Sequence, residues 1–227
     1  MSETASPTKT APPLEKKTTV GNYFVSNYPP FSFWKQEDVP DYRNAMGQPP
    51  KPDTPLGIYV HIPFCRKRCH FCYFRVYTDK NSQEIRNYID AVLAELKLYA
   101  KENFISGRKP KFVYFGGGTP SYLSESQLRQ LTDGMKELLP WDEVEEVTFE
   151  CEPGTLREKK LEVLREIGIT RLSLGVENFD DHILELNGRA HRGPEIGKAY
   201  EFAQGLGFPQ INIDLIAGMV EETEENW

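Results

Sequence analysis

The sequence predicts an α/β protein, a partial parallel (β/α) barrel open after its fifth strand and preceded by an N-terminal arm. Three observations predict it. Five β-rich runs alternate with helical stretches across residues 55–227, which is the pattern of βαβ units sharing a parallel sheet. Helix-capping pairs and glycines punctuate the alternation at the expected places. Residues able to do chemistry fall at the C-terminal ends of the runs, where parallel α/β barrels collect their functional groups.

The first run is LGIYVHI (56–62). A loop leads from it to a helix near 83–104, with Ile85, Tyr88, Ile89, Val92, Leu96 and Tyr99 on one stripe. KFVYF (111–115) is a short strand ending in glycines. Ser124 and Gln127 form a capping box that opens a helix carrying Leu128, Leu131, Met135 and Leu138. VEEVTFEC (144–151) alternates as a third strand, and Thr155 with Glu158 repeats the capping pattern before a helix closed by Gly168. TRLSLG (170–175) is the fourth strand, helical material follows around 180–187 and 194–206, and INIDLIAG (211–218) is the fifth. Thr223 and Glu224 read as the start of another helix. The expectation is therefore a C-terminal truncation or a missing partner segment, with a sticky sheet edge near residue 211 and poor solubility for the isolated chain.

Ahead of the barrel, residues 1–20 are rich in Thr, Pro and Lys and read as a disordered tail. Residues 21–54 read as an aromatic-rich arm with Tyr23, Phe24, Tyr28, Phe31, Phe33 and Trp34. Such density of aromatic surface favours an arm ordered against apolar surface.

Composition excludes several classes. The 227 residues are 39% hydrophobic and 27% charged, enough for a core. A net charge of −7 argues against a general nucleic-acid binder. No apolar run approaches the ~18 residues of a membrane helix, and the N-terminus shows neither a secretory signal nor an acid-poor transit peptide. Three of the four cysteines crowd into eight positions, a spacing that favours metal in a reducing cytoplasm over disulfides.

Those three stand in Cys65-Arg66-Lys67-Arg68-Cys69-His70-Phe71-Cys72, a C-x3-C-x2-C loop directly after the first strand. Three thiolates on one loop suit three irons of a [4Fe–4S] cluster. The fourth iron then lacks a protein ligand and is open to a small chelating molecule, such as the amino and carboxylate groups of S-adenosylmethionine (SAM). Zinc is the alternative: His61 or His70 would complete a Cys3His set, and Cys151 is a further candidate ligand. Structural zinc usually takes ligand pairs from separated elements, which favours the cluster without removing zinc. Arg66, Lys67 and Arg68 read as a solvated basic loop, or as a landing patch for an acidic electron donor such as flavodoxin or ferredoxin.

Several segments together resemble the oxygen-independent coproporphyrinogen III oxidase-like family of radical SAM proteins, which also contains heme chaperones and radical methyltransferases. They are YVHIPFCRKRCHFC (59–72), FGGGTPS (115–121), FECEPGTL (149–156), RLSLGVENFDDHIL (171–184), NGRAHR (187–192) and INIDLIAG (211–218), in family order. The resemblance implies a radical SAM barrel and favours the cluster over zinc. It implies Cys65, Cys69 and Cys72 as the catalytic cluster ligands, and reductive cleavage of SAM to a 5′-deoxyadenosyl radical acting on a tetrapyrrole. It further implies that Gly117, Gly118 and Thr119 meet the methionine end of SAM, Glu150 its ribose, and Arg189 its carboxylate. Asp214 is implied as an acid near SAM, with Tyr59 and Phe71 as aromatics beside cluster and cofactor. Three departures bear on the activity. Glu177 stands where many members carry Gln, Phe74 takes the place of the oxidases' fourth cysteine, and Gly218-Met219-Val220 replaces Gly-Leu-Pro. For the chaperone alternative, His61, His70, His182 and His191 are the candidate heme ligands. Cys151, a lone thiol at a strand end, reads as buried and structural.

Overall fold

The computed structural model describes residues 33–227 except 52 and 106. The tail and most of the predicted arm, including Tyr23, Phe24, Tyr28 and Phe31, lie outside the described residues. The chain divides into two units, Met1–Lys35 and Gln36–Trp227, and the described α-helices and strands all belong to the second.

Its elements are α1 (Val39–Gly47), β1 (Leu56–Ile62), α2 (Ser82–Tyr99), β2 (Pro110–Gly117), α3 (Glu125–Leu138) and β3 (Glu146–Cys151). They continue with α4 (Glu158–Glu166), β4 (Arg171–Glu177), α5 (Asp181–Leu186), α6 (Gly193–Gly205) and β5 (Gln210–Leu215). All strand pairs are parallel and lie in sequence order, β1-β2-β3-β4-β5. Helices α2, α3, α4 and α6 pack in succession, so the crossovers share one face and the sheet is an unclosed barrel arc.

Alternation decides what each face carries. Val60, Ile62, Val113, Phe115, Val147, Phe149, Leu172, Leu174 and Val176 point to the helices and form the buried core. The opposite face takes Tyr59, Tyr114 and Thr148 in one register row, then Glu150, Ser173 and Asn212 in the next. Phe115 and Phe149 are both fully buried, with ring centroids 5.3 Å apart. Phe149→Ala should therefore cost about 3–5 kcal/mol, read as a lower urea midpoint at unchanged slope.

The Ser124–Gln127 capping box is present in both directions. That predicted at Thr155 is not. Thr155 closes a short 3-10 turn over Pro153–Thr155, its hydroxyl bonds the Glu152 carbonyl at 2.8 Å, and Arg157 is the α4 N-cap without a side-chain cap. The helix expected to reach residue 104 stops at Tyr99. Past it the chain turns to meet α1: Phe104 N–H donates to the Met46 carbonyl at 3.0 Å, and Met46 joins a small cluster with Leu56, Ile105 and Leu139. Thr223 lies in irregular chain and Glu224 in a turn, so no helix begins there. β5 is an edge strand with its helix-side Ile213 and Leu215 exposed.

Candidate functional site

The strand ends converge on one cavity of about 290 Å³. Its wall includes Cys65, Cys69, Phe71 and Cys72 from the loop after β1, Gly117, Gly118 and Thr119 from the end of β2, and Glu150 from β3. Glu177 and Arg189 from either side of α5 and Asp214 from β5 complete it. Every cluster or SAM residue singled out from the sequence except Tyr59 therefore borders the same space.

The cysteine loop is held in place from several sides. Cys65 N–H donates to the Tyr77 carbonyl at 3.0 Å, and the Thr119 hydroxyl donates to Cys65 Sγ at 3.3 Å. Arg189 Nη1 reaches Cys69 Sγ at 3.2 Å. His70 N–H donates to the Asn187 carbonyl at 3.0 Å, while its Nδ1 bonds the Leu186 carbonyl at 2.9 Å. Asn187 in turn clasps the segment after β5: its Nδ2 donates to the Val220 carbonyl at 3.2 Å and its Oδ1 accepts from Val220 N–H at 3.1 Å. Burial pushes the Cys65 thiol up, opposed by the Thr119 hydrogen bond and reinforced by Cys72 and Cys69.

Glycine is required at two points here. Gly117 has φ +113°, and a Cβ on it would lie 2.6 Å from the His61 ring. A Cβ on Gly118 would lie 3.0 Å from Cys65 Sγ, against the very sulfur that must face the cavity.

The carboxylates are anchored before any ligand arrives. Glu150 accepts from the Tyr114 hydroxyl at 2.7 Å and from Gly117 N–H at 3.1 Å. Burial raises its pKa, those two bonds oppose the rise, and Asp214 adds to it. Asp214 accepts from the Ser173 hydroxyl at 2.7 Å and from Asn212 Nδ2 at 2.8 Å. Glu177 is raised chiefly by burial, with Arg189, 3.7 Å away, opposing. Its φ is +69°, strained for a residue with a Cβ. Arg189 Nη2 also donates to the Gly175 carbonyl at 2.5 Å. Its Nε is buried without a hydrogen-bond partner among the described residues, while Nη1 and Nη2 are engaged by Cys69 and Gly175.

Because Glu177 binds its proton more tightly folded than unfolded, its stabilising contribution is full below the ordinary glutamate range and is lost as pH rises through the elevated value. Glu177→Gln should flatten the fall in thermal midpoint from about pH 4.3 upward, measured by calorimetry across pH.

Tyr59 stands beside the cavity: its hydroxyl bonds His61 Nδ1 at 3.0 Å and its ring stacks on Tyr114 at 6.0 Å. Although Tyr59 is 58% exposed, partial desolvation, then Glu150 and Tyr88, push its pKa up to about 12. The zinc alternative loses its partners, since neither His61 nor His70 borders the cavity. Buried Cys151 donates to the Phe149 carbonyl at 3.5 Å, and burial pushes its thiol far up, which keeps it protonated. Among the described residues no three His, Cys, Asp or Glu side chains close around one ion. Three thiols spread around a shared cavity instead fit a cube in which each binds a different iron.

The profile of the radical SAM superfamily matches residues 59–227. The chain belongs to the radical SAM superfamily. Its cofactors are thus a [4Fe–4S] cluster and SAM. Among curated relatives, the heme chaperone HemW of Bacillus subtilis is 38% identical over 73% of this chain and 43% of its own length. The oxygen-independent coproporphyrinogen III oxidase of Escherichia coli is 32% identical over 78% of this chain and 38% of its own length. The solved structure of coproporphyrinogen III oxidase (HemN) from Escherichia coli superposes with a TM-score of 0.73 at 30% identity, covering 86% of this chain and 43% of that one. The chain spans about two-fifths of the length of these radical SAM relatives, which divide between an oxidase and a chaperone.

Sequence reasoning passed over Tyr114, Glu152, Ser173 and Asn212, and it read Arg66 as exposed charge or donor-docking surface without the bonds it makes. Tyr114, Ser173 and Asn212 were accessible through period-2 alternation, which puts them on the face that carries Glu150 and Asp214. No local signal pairs Arg66 with Glu152, which lie 86 residues apart.

Proposed function

We propose that this chain binds a [4Fe–4S] cluster through Cys65, Cys69 and Cys72 and SAM in the adjoining cavity, as an oxidoreductase acting on a tetrapyrrole in the manner of coproporphyrinogen III oxidase. The observation that carries the reading is the convergence of three thiols, a glycine-lined strand end, several carboxylates and the Arg189 guanidinium on a single cavity. When bound, the cluster and SAM supply one-electron reductive cleavage to a 5′-deoxyadenosyl radical.

The protein's own groups set the stage. Gly117 and Gly118 let backbone approach the methionine end of SAM, with Thr119 beside them. Glu150, already fixed by Tyr114 and Gly117, retains lone pairs for the ribose hydroxyls. Arg189, with its unpartnered Nε, takes the SAM carboxylate. Glu177 and Asp214 offer negative charge to the ammonium and sulfonium. Phe71 supplies an apolar wall that excludes water, and the Tyr59–Tyr114 stack keeps the neighbouring carboxylate in place. Electrons come from a flavodoxin or ferredoxin, and unpaired thiols suit a reducing cytoplasm.

A second reading, heme chaperone, is favoured by Phe74 where the oxidases carry cysteine and by the 38% identity to HemW. Of the candidate heme histidines, His191 is fully buried with its Nε2 on the Val176 carbonyl, which argues against it, whereas His61 and His70 bond Tyr59 and Leu186 through Nδ1 and keep Nε2 for an iron. Anaerobic reconstitution with iron and sulfide, followed by 5′-deoxyadenosine assay and heme titration, separates the two. The oxidase-like reading expects a SAM-dependent change in the EPR spectrum and 5′-deoxyadenosine. Stoichiometric heme binding without SAM cleavage would replace it with the chaperone.

A further inference from the structure

Arg66 stands between two proposed cluster ligands, yet its guanidinium is turned inward. Nη2 donates to Glu152 Oε1 at 2.9 Å and to the Ala190 carbonyl at 2.7 Å, and Nη1 donates to the Gly154 carbonyl at 3.4 Å. The Glu152 side chain is only 8% exposed. The guanidinium lies in a slot that only glycine leaves open: a Cβ at Gly154 would fall 2.3 Å from Nη2. The slot is braced from below. Glu152 N–H donates to the buried Ser121 hydroxyl at 3.0 Å, and Lys160 Nζ holds the Ser121 carbonyl at 2.7 Å. His191, fully buried, sits 3.6 Å from Glu152 with its Nδ1, an ion-pair distance rather than a hydrogen bond.

We propose that Arg66 and Glu152 are positioning residues that fasten the cysteine loop to the turn after β3 and to the α5–α6 connection, and so hold the three thiols ready to retain the cluster. This rests on the cluster reading above. The physical reason is entropic. Residues 65–72 form no helix or strand, so ordering them opposes ligation unless other bonds have already fixed the loop. One planar fork meeting three acceptors on two separate elements does so with a single side chain. It also changes the meaning of the basic triplet. The triplet stays exposed, with the Arg66 side chain 39% accessible, but Arg66 and Arg68 also bond the loop and its surroundings, Arg68 reaching the Cys72 carbonyl at 3.1 Å, so a triple alanine variant would disturb the loop as well as any docking.

The test is the rate at which a ferrous chelator strips iron from the anaerobically loaded, SAM-free full chain. Arg66→Ala and the isosteric Glu152→Gln should each release iron about ten-fold or more faster than wild type, measured well below each variant's own thermal midpoint, which Arg66→Ala lowers by leaving the buried Glu152 carboxylate unpaired. Arg66→Lys, which keeps charge but not the fork, should fall between. Lys109→Ala, which removes an exposed pair with Asp142, should match wild type. Release within two-fold of wild type in both Arg66→Ala and Glu152→Gln overturns the proposal, and should Arg66→Ala fail to fold, Glu152→Gln alone decides it. A wild-type chain that takes up no cluster overturns the underlying reading as well, whereas a loaded wild type with unaffected variants overturns this inference only.

Discussion

Cys65→Ala, Cys69→Ala and Cys72→Ala should each abolish the [4Fe–4S] absorbance and EPR signals of the reconstituted chain, and with them 5′-deoxyadenosine formation. On the proposed ligand set three thiolates would hold the cluster and leave one iron to SAM, so losing any thiolate would leave too few protein ligands to retain it. Cys151→Ala is the internal control. Its thiol is buried and bonded to the Phe149 carbonyl, so that variant should keep full iron content. Retention of four irons and a SAM-responsive spectrum in any of the first three variants would refute the assignment of ligands. Zinc in place of iron after reconstitution would do the same.

Arg189→Met should weaken SAM binding by about 10- to 100-fold, or about 1.4–3 kcal/mol, measured by equilibrium binding to the loaded protein. Two effects combine. The variant removes the buried donor with no present partner, proposed to meet the SAM carboxylate, and it strips Glu177 of its compensating charge. The Arg189 and Glu177 side chains are 11% and 14% exposed, so breaking that pair from one side should also lower stability by about 3–5 kcal/mol near neutral pH. Adding Glu177→Gln to Arg189→Met should return part of the stability and none of the affinity. A double variant that binds SAM like wild type would show that Arg189 acts only on Glu177.

Much of the fold and the site was legible because the information is local. Period-2 alternation marks a strand and the intervening helices make it parallel, and β1 occupies the very stretch LGIYVHI. The cysteine spacing pointed to a thiolate-bound metal but left zinc beside the cluster until the family resemblance was added. Where sequence reading failed, a tertiary partner decided the outcome. Thr155 has every local property of a helix cap, but the Glu152 carbonyl and the Ser121 hydroxyl, 2.5 Å away, claim its side chain first. α2 ends early because Met46, more than fifty residues upstream, takes the amide of Phe104. Arg66 looked like surface charge because nothing in its neighbourhood announces Glu152. Glu177 was legible as a member of the site, but its left-handed backbone was not. That conformation goes with the register shift between β4 and β5 beside Gly175.

The two-way clasp between Asn187 and Val220 makes the cavity and the backbone beyond β5 parts of one mechanical system. The main chain of Asn187 holds His70 while its amide group holds Val220. The thiol-bearing loop and the stretch around Met219–Glu222 therefore share one anchoring residue, so a change that displaces Asn187 reaches both.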